Sequence, residues 1–91
     1  MEKEYRVTVS GRLEGCRKRL AALRELEDGS PIVPARVSAL EQREGTMVLS
    51  VIIHQGLNRQ VRRMCVLAGL RVERLVRVRE GSLQLGALPA G

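Results

Sequence analysis

The chain has 91 residues, 44% of them apolar, and a formal net charge of +6. That suits one compact domain rather than a disordered tail, and no stretch is long and apolar enough to cross a membrane or serve as a signal core. All basic residues but Lys3 and Lys18 are arginine, and Tyr5 is the sole aromatic, so a sheet that stacks several RNA bases on aromatic rings is excluded.

In Lys3–Ser10, Tyr5, Val7 and Val9 alternate with Arg6, Thr8 and Ser10, which predicts a half-buried strand over 4–10. Leu13, Cys16, Leu20 and Leu23 then recur at helical spacing, giving an amphipathic helix over 13–26 with a weak first turn at Gly15. The run Glu27 to Pro31 (EDGSP) is a dense turn signal. After Pro31 and Pro34 a strand is predicted over 36–43, and Glu44-Gly45 turns the chain back. TMVLSVII, Thr46 to Ile53, is the most apolar and β-branched segment, so 47–53 reads as a central strand.

Leu57, Val61, Met64, Cys65 and Ala68 line one face of a helix expected over 57–69, with Gly69 as its stop. Arg59, Arg62, Arg63 and Val66 take the other face and should project into solvent. These arginines have no carboxylate at helical spacing to pair with. Val72, Val76 and Val78 predict the inward side of a last strand over 72–79, with Arg77 and Arg79 turned the other way; GSLQLG and LPAG read as a short tail. The order strand, helix, strand, strand, helix, strand is that of an α+β, ferredoxin-like βαββαβ domain. It consists of a four-stranded antiparallel sheet with two helices on one face.

Charge is uneven along the chain. From Thr46 onward arginines face only Glu73 and Glu80, whereas residues 1–45 nearly balance. A basic half points to nucleic acid. Asn58 and Gln60 add polar groups at a helix start, where free N–H groups and the positive dipole end suit phosphate. Cys16 and Cys65 lack metal-ligand spacing and His54 is the only histidine, so no metal site is expected and both thiols read as buried and free.

The segment HQGLNRQVRRMCVLAGLRVERLVRVREG, with its Asn58-Arg59-Gln60-Val61-Arg62-Arg63-Met64 core, closely resembles the C-terminal part of the bacterial rRNA pseudouridine synthases of the small-subunit and large-subunit group. The family pattern runs Gly-x-Asn-Arg-Gln-Val/Ile-Arg-Arg-Met, then Gly-His and a strand ending Leu-x-Arg. Lys3, Tyr5 and Val7 match its Lys-x-Tyr-x-Val strand, and Pro34 to Arg36 match a Pro-Ala-Arg segment. Leu70 stands where the family usually has histidine.

The resemblance implies that Tyr5 is the active-site tyrosine and that Arg62 pairs with the catalytic aspartate. Lys3, Asn58, Arg59, Gln60, Arg63, Arg77 and Arg79 are then expected to hold RNA or support the pocket. It implies cytoplasmic rRNA as partner and no cofactor. The family nucleophile lies in a Gly-Arg-Leu-Asp segment upstream of the tyrosine strand, which is absent here. GRLE, Gly11 to Glu14, imitates it in letters but follows that strand, and Asp28 sits in a different context. Residues 1–91 are therefore expected to be one portion of a catalytic domain, without the aspartate subdomain or an N-terminal RNA-binding domain. Such a portion should be inactive alone and open to self-association through its exposed edges. The alternative is a standalone, inactive RNA-binding or interaction module.

Overall fold

The computed structural model describes residues 2–54, 56–57, 59–80 and 83–84, with Arg79, Glu80, Leu83 and Gln84 described by their backbone alone. Asn58, the side chain of Arg79 and most of the expected tail lie outside the described residues. The elements run β1 (Lys3–Gly11), α1 (Cys16–Ala22), β2 (Arg36–Arg43), β3 (Thr46–Ile53), α2 (Gln60–Leu67), β4 (Leu70–Glu80) and β5 (Leu83–Gln84). The sheet order is β2-β3-β1-β4-β5, every described neighbour pair antiparallel. Each helix carries the chain past one intervening strand, β1 to β2 across β3 and β3 to β4 across β1. This is the ferredoxin-like arrangement, with the two-residue β5 added at one edge.

Alternation decides which face of the sheet is covered. Val7 and Val9 of β1 and Met47, Leu49, Val51 and Ile53 of β3 are buried. They share one core with Cys16 and Leu20 of α1 and Val61, Met64 and Cys65 of α2, so both helices lie on the same face. The core is aliphatic and sulfur-rich; the Cys16 thiol lies 3.8 Å from the Met47 sulfur. Both cysteines are free and buried.

Both helices are shorter than expected. Gly15 caps α1 in the left-handed region (φ 71), which excludes Leu13–Gly15 from the helix. At the other end Leu23 is extended. Arg24 to Ser30 then fold into a small hairpin: the Leu26 N–H donates to the Ser30 carbonyl, the Ile32 N–H donates to the Arg24 carbonyl, and Glu25 bridges Pro31. Leu26 still reaches the core, from this turn instead of a helix. α2 begins at Gln60 because Arg59 takes a left-handed conformation (φ 53) that an α-helix cannot continue through. Leu57 packs against the core from the connection before it. Gly69 does terminate the second helical stretch, at φ 80, with its N–H donating to the Val66 carbonyl. Arg19 of α1 donates to the Ala68 carbonyl at 3.0 Å and so satisfies an acceptor at the end of α2.

β4 departs from strict alternation. Its register against β1 shifts between Glu4/Tyr5 and between Thr8/Val9. The expected inward set of Val72, Val76 and Val78 is therefore corrected. Val72 and Leu75 pack on the core, while Val76 stands opposite Arg6 and is 38% exposed. Each bulge adds one residue and turns all that follows to the other face.

Candidate RNA-facing active site

Register brings the singled-out residues to one end of the sheet. Lys3 pairs with Ile53, the last residue of β3, and with Glu80, the last of β4. Tyr5 lies between Val51 and Arg77. α2 starts a few residues beyond Ile53, so Arg59 and the arginines that follow rise over the same end. A Cβ built on Gly56 would lie 2.8 Å from the Lys3 ammonium nitrogen, so the flexible Lys3 side chain reaches the β3–α2 connection. The loop between α1 and β2 also arrives at this end, because β2 begins with Arg36 opposite Ile52.

Tyr5 is half-buried, its ring packed against the core. The register shift between Glu4 and Tyr5 puts Arg77 directly across from it, on the helix-covered face. Alternation alone had turned Arg77 and Arg79 together; the bulge separates them, with Arg79 opposite Glu4 in the backbone register. The closeness of Arg77 to Tyr5 is thus a feature that sequence periodicity missed.

Adjacent arginines of α2 are treated differently. The Arg63 Nε donates to Glu27 at 2.5 Å and its terminal nitrogen meets Asp28 at 2.9 Å. Asp28 uses its other oxygen to accept the Ser30 N–H. That backbone bond, more than Arg63, holds the Asp28 carboxyl at about 2. The side chains of Arg62 and Arg59 make no hydrogen bond or ion pair with a described residue. Arg62 is half-buried and Arg59 exposed at the helix cap. Burial pushes the Cys65 thiol up to about 11, against the nearby Arg62 charge, which favours the thiolate.

Gln60 was expected among the outward polar groups. It is only 3% exposed, tucked under the first turn with its amide nitrogen 3.9 Å from the Met64 sulfur. Its Oε1 is buried with no partner among the described residues. Gln60 stands one turn before Met64, so the helical period puts it at the edge of the core face.

The look-alike GRLE segment lies at the opposite end. Glu14 follows the far end of β1, and the six residue steps from Tyr5 to Gly11 span about 20 Å of strand. A cavity of about 450 Å³ near Cys16, Arg17, Lys18 and Met47 is at that far end too, away from Tyr5 and α2. Among the described residues no cluster of His, Cys, Asp and Glu could hold a metal, and no helix is long and apolar enough to cross a membrane.

The arrangement therefore offers a tyrosine, an arginine unpaired among the described residues and further cations at one sheet end. Comparison with known proteins finds relatives over nearly the whole chain. The chain is 34% identical to the dual-specificity RNA pseudouridine synthase of Escherichia coli, an alignment covering 99% of this chain and 30% of the relative. It is 35% identical to the ribosomal large subunit pseudouridine synthase B of Yersinia pestis, over 100% of this chain and 29% of the relative. It is 38% identical to an RNA pseudouridine synthase of Mycobacterium tuberculosis, over 92% and 33%. The chain is a relative of the RNA pseudouridine synthases. It spans about a third of the length of these relatives. No family model matches it.

Proposed function

We propose that this chain is one part of an rRNA pseudouridine synthase, a cytoplasmic isomerase, and that it supplies Tyr5 and Arg62 to the active site. The observation that supports this most is the contrast within α2, at the sheet end that also holds Tyr5. Arg63 is engaged by Glu27 and Asp28, while its neighbour Arg62 makes no ion pair among the described residues. A half-buried arginine without a counter-ion among the described residues suits a carboxylate arriving from outside.

The chemistry calls for these residue types. The target uridine leaves the RNA stack, at a cost of a few kcal/mol, so cationic anchors must hold its flanking phosphates. An aspartate starts cleavage of the bond between N1 and the sugar C1′. The base turns, C5 bonds to C1′, the C5 proton departs and N1 takes up a proton. Arg62 keeps the aspartate ionised and aimed. Tyr5 lies against the base and takes part in the proton transfer. Lys3, Asn58, Arg59, Arg77 and Arg79 hold RNA. Gln60 and Arg63, given their burial and pairing, support the pocket from beneath. No cofactor is required.

The nucleophile belongs to a segment outside these residues. Asp28, the single aspartate, has one oxygen on the Ser30 N–H and the other on Arg63 and serves as a clamp. Tritium release from rRNA carrying 5-tritiated uridine tests the proposal: the 91-residue chain should release none, and the longer enzyme should release it. Release by the chain alone would overturn the division of labour. A second reading, an inactive RNA-binding module, would be favoured if no longer enzyme containing this segment released tritium.

A further inference from the structure

The sheet face opposite α1 and α2 carries its own arginine set. Register aligns Arg36 with Ile52 and Ile52 with Glu4; Ser38 with Ser50, Arg6 and Val76; Val48 with Thr8 and Arg74; and Ser10 with Arg71. These residues alternate with the core residues of the same strands, so their side chains leave the sheet on the open side. Arg6, Arg36, Arg71 and Arg74 are all exposed.

The acids of this face bond to its serines or to Arg43, not to these four arginines. Glu4 accepts the Ser50 hydroxyl at 2.9 Å, Glu73 accepts the Ser10 hydroxyl at 2.6 Å, and Glu41 pairs with Arg43 at 2.7 Å. The side chains of the four arginines make no hydrogen bond or ion pair with a described residue. Arg6 and Arg74 are diagonal neighbours on adjacent strands, about 7–8 Å apart at their backbones. Half-buried Val48 and Ile52 and exposed Val76 lie between the charges, and no aromatic ring is present to stack a base.

We propose that this open face is a second RNA-binding surface, separate from the candidate active site, that grips the phosphate backbone without reading sequence. Guanidinium forks match phosphate oxygens, and several of them spread over one rigid face can meet successive phosphates. A surface without base-stacking rings takes RNA by its backbone. The inference rests on the strand register and these charges, not on the uridine chemistry.

The test uses the chain itself and a short RNA duplex, with affinity followed from low to physiological salt. The double variant Arg6→Gln/Arg74→Gln should bind about tenfold more weakly and lose about two units of salt slope. Arg17→Gln/Lys18→Gln removes the same charge from exposed positions on α1 and should change affinity by far less. Equal losses in the two double variants would overturn the proposal, because net charge alone would then explain binding. So would an equal loss on polyglutamate, or no RNA binding by the unaltered chain at low salt. Pseudouridine formation by the longer enzyme on a short single-stranded substrate should be unchanged by Arg6→Gln/Arg74→Gln, which separates this surface from the active site.

Discussion

Among single residues, Arg63 and Asp28 make the clearest physical statement. Asp28 titrates at about 2 against an ordinary 3.8, chiefly because the Ser30 N–H binds its ionised form. The folded value is depressed, so the contribution to stability is complete above the unfolded value and disappears as pH falls through about 2. NMR titration of the carboxyl carbon should show that midpoint. Arg63→Gln should raise it only part of the way to 3.8, since the Ser30 bond remains; a full return would mean that Arg63 is the main cause. Cys65 gives the opposite case. Burial raises its thiol from 9.0 to about 11, so the unfolded chain loses this proton first. Stability should decline as pH rises from about 9 to about 11, and a Cys65→Ser variant followed by denaturant melts should lose that slope. A thiol reagent should label it at neutral pH only after unfolding. Both cysteines were legible as buried thiols from their apolar spacing. The partners of Arg63, Glu27 and Asp28, were not, because they lie far away in sequence, Glu27 by 36 residues, and only the α1–β2 turn brings them near.

At the scale of the element, all four long strands were located to within about two residues: alternation marked the first and last, the prolines and Glu44-Gly45 bounded the second, and a β-branched apolar run marked the third. Helix ends were read too long for a local reason: Gly15 and Arg59 adopt left-handed φ values, and helical spacing of leucines continued across turns that are not helical. The β4 bulges were invisible, because a bulge leaves composition unchanged while reversing which residues face the core. Gly11 shows how tightly one connection is set. It has φ 99, and an added Cβ would come 2.9 Å from the Gly69 carbonyl oxygen. Gly29 has φ 85 with nothing within 4 Å. Gly11→Ala should therefore lower stability by roughly 1–3 kcal/mol for backbone strain, with the contact added to it, and Gly29→Ala by less. Urea melts of the two variants order them; equal losses would mean the chain relaxes around Gly69.

For the whole molecule, the antiparallel register is what turns a list of residues into a site. Tyr5 and Arg62 are separated by most of the chain, yet the first strand begins where the third ends and the second helix follows. That convergence was implicit in the βαββαβ order. The opposite sheet face was not foreseen as an arginine surface, since its charges come from three strands and each looks like ordinary solvent alternation. The central claim is that Arg62 serves an aspartate rather than a phosphate. Arg62→Ala in the longer enzyme, measured by single-turnover pseudouridine formation at saturating enzyme beside salt-dependent RNA affinity, tests it most directly. Loss of a charge-assisted pair in a desolvated cleft is worth roughly 2–5 kcal/mol, so turnover of bound RNA should fall at least thirtyfold, by an order-of-magnitude estimate, with affinity nearly unchanged. Normal turnover with about tenfold weaker binding and a shallower salt slope would make Arg62 a phosphate anchor and contradict the account.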